Sequence, residues 1–274
     1  MPELPEVETV RRSLEEHLVG LSIKNITINH PGVIATPEIS AFRNNLLEQT
    51  FLHVGRRGKY LIFDVTPHWK MVLHLRMTGR LVYSDAGMML LKHTHVIFDL
   101  DNGKELRFTD PRRFGRIWLV KNEDISQLSG LNTLGPEPLE KEFSPEIFRA
   151  QLQGRKTRIK PLLLDQRFVA GIGNIYADEI LFRSGIHPER RADSLSDEEI
   201  KLLFQTIIDI LQEAVVHRGT SFSDYVDGLG EKGTHQNFVQ VYQRVGQQCF
   251  RCAAVIERMK IGSRSAYHCP QCQK

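Results

Sequence analysis

The sequence predicts an α+β chain: an N-terminal β-sandwich domain with an N-terminal helix, then a helical C-terminal domain that ends in a metal-bearing β-hairpin. Three observations predict it. Short segments with strand-like alternation follow one another without intervening helices as far as Val120. Helical periods replace them beyond Leu134-Gly135-Pro136-Glu137-Pro138, a break whose two prolines and glycine forbid a helix. All four cysteines lie between Cys249 and Cys272. Boundaries drawn on these signals give a β-domain over 1–130, a linker over 131–145, a helical domain with a glycine-rich loop over 146–235 and a cysteine module over 236–274.

Taken in order, Glu6 to Gly20 reads as an amphipathic helix. Val7, Val10, Leu14 and Leu18 share one stripe, Pro5 suits the first turn and Gly20 the stop. Strands are expected at Leu21 to Ile28, Lys59 to Val65, Met71 to Leu75, His95 to Leu100, Glu105 to Thr109 and Arg116 to Val120, separated by turn signals such as Asp101-Asn102-Gly103. Helices are expected at Ser144 to Gln153, Ile159 to Gln166, Ile175 to Ser184 and Ser196 to His217. Gly219 ends the last of them, and Thr220 to Asn237, with Gly228, Gly230 and Gly233, reads as a mobile loop.

Of 274 residues, 41% are hydrophobic and 25% charged, a balance that supports a packed core and argues against disorder. With 36 Lys plus Arg against 33 Asp plus Glu, the net charge is only +3. The positive excess is concentrated at the carboxyl end, where Arg244, Arg251, Arg258, Lys260, Arg264 and Lys274 face Glu257 alone. No stretch approaches the roughly 18 apolar residues of a membrane span. The start MPELPEVETV carries acids where a signal peptide needs Lys or Arg before an apolar block. A soluble cytoplasmic protein without a membrane partner is expected.

Cys249, Cys252, Cys269 and Cys272 form two C-x2-C pairs sixteen residues apart. Each pair can bite one ion from a tight turn, and the intervening hairpin brings the pairs together, so one structural Zn2+ is expected. Two disulfides are the rival, disfavoured by a reducing cytosol. Zinc would also supply folding energy that so small a hairpin cannot draw from apolar burial, leaving a loop from Gly262 to His268 at its tip.

Two further segments carry chemistry. In Val169 to Asp178, two glycines precede Asn174, a residue suited to cap a helix whose start could present N–H groups to a phosphate. Just upstream, Arg155, Lys156, Arg158 and Lys160 put four cations in six residues, which beside such a helix start favours a nucleic-acid backbone over a merely solvated face. The turns His74-Leu75-Arg76-Met77-Thr78-Gly79 and Asp110-Pro111-Arg112-Arg113-Phe114-Gly115-Arg116 place a Met, an Arg and a Phe where they could form a wedge entering a base stack. Core roles for Met77 and Phe114 are the alternative.

The start PELPEVETV, GRRGKYL around Lys59, HLRMTG, TDPRRFG, LGPEPL, VAGIGNIYADEILFRSGIHP and the closing HCPQCQ resemble formamidopyrimidine-DNA glycosylase, a repair family for oxidised purines. The match runs over the whole chain, and its motifs are specific in sequence and order. The resemblance implies that the helical domain is a helix-two-turn-helix element and the hairpin a zinc finger. It implies that Met1 is removed and that the secondary amine of Pro2 attacks the anomeric carbon of the damaged nucleotide. Such an amine forms a cationic iminium, an electron sink for breaking the strand. A model α-amino group has a pKa of about 8, so roughly a tenth is neutral at pH 7, and a helix start raises that fraction by disfavouring the cation.

By the same resemblance Glu3 is the general acid and base, with Glu6 the competing carboxylate. Lys59 is assigned to β-elimination on a hairpin that contacts lesion and phosphate. Arg264 grips the flanking phosphates and is assigned to δ-elimination. Asn174, Lys156, His93 and Arg112 correspond to DNA-contacting positions, while Met77, Arg112 and Phe114 would fill the gap left by a base rotated out of the duplex. Tyr242 is given a structural role. The hairpin tip reads Ser263-Arg264-Ser265-Ala266 where relatives commonly carry Gly-Arg-Gly-Thr, and Thr78 stands where some carry glutamate. The implied partner is double-stranded DNA containing 8-oxoguanine or formamidopyrimidines, and composition suggests a monomer on it. The alternatives are an endonuclease VIII-like glycosylase for oxidised pyrimidines and a non-catalytic zinc-dependent damaged-DNA-binding protein.

Overall fold

Helix α1 (Leu4–Leu18) opens the chain in a computed structural model that describes residues 1–66 and 68–274. It buries Val7, Val10, Leu14 and Leu18, the stripe that the periodicity selects. The helix starts two residues earlier than expected. Glu3 takes the N-cap, and its backbone N–H donates to the Glu6 carboxylate at 2.8 Å, one half of a capping box.

Next come β1 (Ile23–Ile28), β2 (Ile34–Thr36), α2 (Ile39–Leu46), β3 (Phe51–Arg57), β4 (Tyr60–Val65), β5 (Trp69–His74), β6 (Arg80–Asp85), β7 (Thr94–Leu100), β8 (Lys104–Thr109) and β9 (Arg116–Lys121). They form a four-stranded sheet, β1-β7-β8-β6, and a five-stranded sheet, β2-β9-β5-β4-β3. Among the described residues, β2 alone runs parallel to its neighbour. The two sheets and α1 share one apolar cluster, in which Phe51 and Phe63 meet edge to face at 5.9 Å and Phe42 of α2 meets Phe98. This is the expected sandwich.

Besides the four-residue α3, four elements between residues 34 and 85 of the described chain escape the sequence reading. Strand β3 ends in Gly55-Arg56-Arg57, and β6 alternates around Arg80 and Ser84, so neither carries a clean apolar period. Strand β2 is three residues long and exists only through β9, and α2 is a short eight-residue helix.

After α3 (Ser129–Asn132) the second unit holds α4 (Pro145–Leu152), α5 (Ile159–Leu164), α6 (Asn174–Arg183), α7 (Asp197–Val216), β10 (Glu257–Ile261) and β11 (Arg264–His268). Phe143 stacks on Phe204 of α7 at 4.8 Å and meets Phe148 of α4 edge to face. No helix among the described residues is long and apolar enough to cross a membrane.

The chain divides into two compact units, Met1–Asn132 with His217–Gln236, and Thr133–Val216 with Asn237–Lys274. Residues 217–236, drawn with the helices on sequence signals, pack with the β-sandwich. Hydrogen bonds explain this. Thr220 N–H donates to Glu6 Oε1 at 2.7 Å, Tyr225 O–H to the Glu6 carbonyl at 3.2 Å, Gly228 N–H to Ser13 Oγ at 3.0 Å, and Tyr83 N–H to the Gly228 carbonyl at 2.8 Å. The segment read as a mobile loop is thus tied to α1 and β6, by long-range bonds that no local pattern encodes.

Candidate active site and zinc centre

In the first unit the head of α1 is buried. Pro2 and Glu3 lie under cover while Met1 is exposed. The Glu6 carboxylate is committed on both oxygens, to Glu3 N–H and to Thr220 N–H, so it acts as a clasp between the helix head and the 217–236 segment. Glu3 is engaged in the same capping box, its side chain accepting from the Glu6 backbone N–H.

Lys59 sits at the second position of the two-residue turn joining β3 to β4, in which Arg57 pairs with Tyr60. Gly58 takes φ +55, the left-handed conformation such a turn demands. The turn is pinned from behind. Arg56 donates to the Gly58 carbonyl at 2.9 Å and to Glu8 of α1 at 3.1 Å. Lys59 is buried, only 6% exposed, which differs from an ordinary surface lysine.

The Met77 and Arg112–Phe114 turns are laced together by Asp110, a fully buried residue that the sequence reading quoted only as part of a motif. Its Oδ1 accepts from Thr78 Oγ1 at 2.5 Å and Arg112 N–H at 3.2 Å, and its Oδ2 from Gly115 N–H at 2.7 Å. Its own N–H donates to the His93 carbonyl. An Asp-Pro step at a turn was the available signal. The Arg112 guanidinium lies 4.8 Å over the Phe114 ring, and Phe114 is 48% exposed rather than part of the core. Met77 is half-buried.

His74 sets the Met77 turn from the other side. Arg76 N–H donates to His74 Nδ1 at 2.9 Å, with Arg76 itself at φ +56. Burial, with the Arg76 and Lys59 charges nearby, pushes the imidazole down to about 3, so the ring is neutral and Nδ1 is an acceptor.

In the second unit Asn174 is the first residue of α6, with Gly173 in the N-cap position and no side-chain cap bond. Asn174 Oδ1 is buried without a hydrogen-bond partner. The capping role read from the sequence is therefore corrected: extended Gly173 takes it. The run of four cations is also not one surface. Lys156 is exposed, Arg155 lies over Phe168 and Arg158 pairs with Glu189, whereas Lys160 is buried against Asp178 at 2.6 Å. Tyr242 N–H donates to Glu179 at 2.8 Å, beside bonds from Gln240 and Val241, so this stretch is anchored to α6.

Arg264 is exposed and begins β11, directly after the two-residue turn Gly262-Ser263, where Gly262 has φ +60. The expected loop from Gly262 to His268 is thus mostly strand. Its positive-φ glycine comes first in the turn, as a II′ hairpin requires.

The four cysteines are free thiols, which excludes the disulfide reading. Their sulfurs lie within 4.8 Å of one another, with Cys249 and Cys272 at 3.8 Å and Cys252 and Cys269 at 3.4 Å. Four Zn–S bonds of about 2.3 Å in a tetrahedron put sulfurs about 3.8 Å apart, so the set fits one zinc ion. Backbone N–H groups of Arg251 and Cys272 point at Cys249 and Cys269 sulfur, at 3.4 and 3.5 Å, and would stabilise thiolates.

Three family models match consecutive parts of the chain: the formamidopyrimidine-DNA glycosylase N-terminal domain over residues 1–117, its H2TH domain over 134–226, and the zinc finger found in FPG and IleRS over 246–274. Proteins named formamidopyrimidine-DNA glycosylase from Pelotomaculum thermopropionicum and Desulforamulus reducens are each 51% identical, across 100% of this chain and 99% of theirs. Among solved structures, the Lactococcus lactis Fpg bound to Fapy-dG DNA is 38% identical with a TM-score of 0.93, covering 99% of this chain and 100% of that one. The same protein with an oxidised pyrimidine in DNA also gives 0.93, at 38% identity and full coverage of both chains.

Proposed function

This chain belongs to the formamidopyrimidine-DNA glycosylase family, and from that membership we propose that it excises oxidised purines, 8-oxoguanine and formamidopyrimidines, from duplex DNA and then cuts the strand by β,δ-elimination. The observation that carries the reading is the buried head of α1. Pro2 and Glu3 are covered, and Glu6 ties them to the 217–236 segment.

After loss of Met1, the Pro2 secondary amine adds to C1′ of the damaged nucleotide and the base departs as its nitrogen gains a proton. Glu3 protonates the opening sugar oxygen, leaving an iminium between Pro2 and C1′. Removal of a C2′ proton, assigned to Lys59, expels the 3′ phosphate; a second elimination, with Arg264 neutralising the leaving phosphate, expels the 5′ phosphate. Asn174, Lys156 and His93 hold the backbone, and Met77, Arg112 and Phe114 occupy the vacated stack. Bound zinc supplies folding energy to the hairpin that carries Arg264.

The site works as a monomer on DNA in the cytoplasm, a reading supported by four reduced cysteines suited to zinc. Borohydride reduction on 8-oxoguanine duplex tests the chemistry. A covalent adduct at Pro2 is expected; none forms if the protein only binds damage or if Met1 is retained. Faster release of thymine glycol than of 8-oxoguanine would overturn the substrate assignment in favour of the oxidised-pyrimidine branch.

A further inference from the structure

Among the described residues, strand β11 has one ladder partner, β10. Because Ile261 pairs with Arg264 across a two-residue turn, the next pair out, Lys260 with Ser265, and the pair Arg258 with Tyr267 turn their backbone groups away from the hairpin. The outward edge of β11 therefore offers the Ser265 carbonyl and the Tyr267 N–H, the groups a third strand would use. No strand comes. Lys160 Nζ of α5 donates to the Ser265 carbonyl at 2.5 Å, and Asp178 Oδ2 of α6 accepts from Tyr267 N–H at 3.2 Å. Asp178 Oδ1 accepts from Lys160 at 2.6 Å, and the two side chains are 1% and 0% exposed.

We propose that Lys160 and Asp178 are positioning residues for Arg264: the buried ion pair stands in for a third strand and fixes the hairpin tip relative to α6. The pairing is specific in direction. An ammonium meets the outward carbonyl one residue from Arg264, and a carboxylate meets the outward amide two residues further. Asp178 also stands one helical turn from Asn174, so one rigid helix indexes two phosphate-holding residues at once. A buried pair kept only for stability is a poor investment, since apolar residues of like volume commonly stabilise as well or better. Its contribution here is placement.

The inference rests on the proposed role of Arg264 in the second elimination. On duplex carrying a preformed abasic site, the measured quantity is the ratio of δ- to β-elimination ends formed by full-length, zinc-loaded protein. A ratio is internal to each variant, so a general loss of fold lowers both products and leaves it unmoved. In K160M/D178L the pair becomes apolar, and the ratio is expected to fall by about tenfold, as misplacement of a catalytic group by a fraction of an ångström costs. Hydrogen exchange at the Tyr267 amide should accelerate in parallel. D178N gives a second reading. An amide has one acceptor oxygen where Lys160 and Tyr267 N–H need two, so the ratio must fall there too, by a smaller factor.

R264A separates the outcomes. If R264A collapses the ratio while folded K160M/D178L, or D178N where the double variant does not hold zinc, keeps the wild-type value, the positioning role is wrong and the role of Arg264 stands. If R264A itself leaves the ratio unchanged, both fall together.

Discussion

Two hairpins in this protein solve the same geometric problem by different means. Each uses a two-residue turn whose first residue is a glycine at positive φ, Gly58 in one and Gly262 in the other, and each presents a cation at or just after the turn. The β3–β4 hairpin forms one edge of a five-stranded sheet over a large apolar cluster, and its Lys59 is buried. The β10–β11 hairpin is a two-stranded sheet with a small cluster of Phe182, Val241, Cys249, Ile256 and Cys269, and its Arg264 is exposed. A hairpin without a core must draw its rigidity from elsewhere, and this one has zinc and a buried ion pair.

Removing zinc should separate the two most sharply. Structural zinc contributes roughly 10–16 kcal/mol in small cysteine modules, so a chelator, or C269S, is expected to melt the 246–274 module while the β-sandwich keeps its own transition. A calorimetric scan showing one unchanged transition would break the comparison.

The first hairpin depends on Glu8, which accepts from Arg11, Arg12 and Arg56. Burial works to raise the Glu8 pKa, but the hydrogen bonds from Arg11 and Arg12 and the surrounding guanidinium charges outweigh it and hold the carboxyl below its ordinary 4.5. Its stabilisation is therefore present above that value and lost as pH falls below it. E8Q removes the carboxylate that Arg56, 6% exposed at the side chain, meets at 3.1 Å, and should cost about 3 kcal/mol, the lower end for breaking a buried pair. Urea unfolding of the first unit reads this, and strand cutting should fall with it while zinc content stays at one.

His74 gives a pH signature confined to the first unit. Its folded pKa of about 3 lies below the ordinary 6.5, so the unfolded chain binds the extra proton between those values and stability drops as pH falls through that window. H74Q is expected to flatten the slope there; an unchanged slope would remove His74 from the account of the Met77 turn.

The smallest effects on stability belong to the exposed tip. G262A places a methyl at φ +60 and should cost about 1 kcal/mol. R264A should leave the melting transition in place while reducing the salt slope of DNA affinity by about one. A slope unchanged in R264A would mean that the arginine meets no phosphate.

Much of both hairpins was legible beforehand, unequally. The cysteine spacing announced the second one outright, because metal geometry acts through a few residues close in sequence. Lys59 was found by its motif, but its burial was not, nor was the bond between Glu8 and Arg56, forty-eight positions apart, that pins its turn. Asp110 looked like a turn residue, yet it organises Thr78, Arg112, Gly115 and His93. Lys160 looked like one more surface cation, and only its contact with Asp178 and Ser265 distinguishes it from Lys156.

By itself the amino-acid order determined the α1 stripe, six of the strands, the four helices of the second unit, the cysteine set and the family's motif residues. Periodicity, capping and ligand spacing operate over a few residues, and a linear reading contains them in full. Which side chains end up beneath the surface, that the Glu6 carboxylate meets the Thr220 N–H, and where residues 217–236 pack were decided by contacts between segments tens to hundreds of positions apart. Those contacts form only when burial removes water from competing hydrogen bonds, and that condition exists in the folded molecule and nowhere in the string.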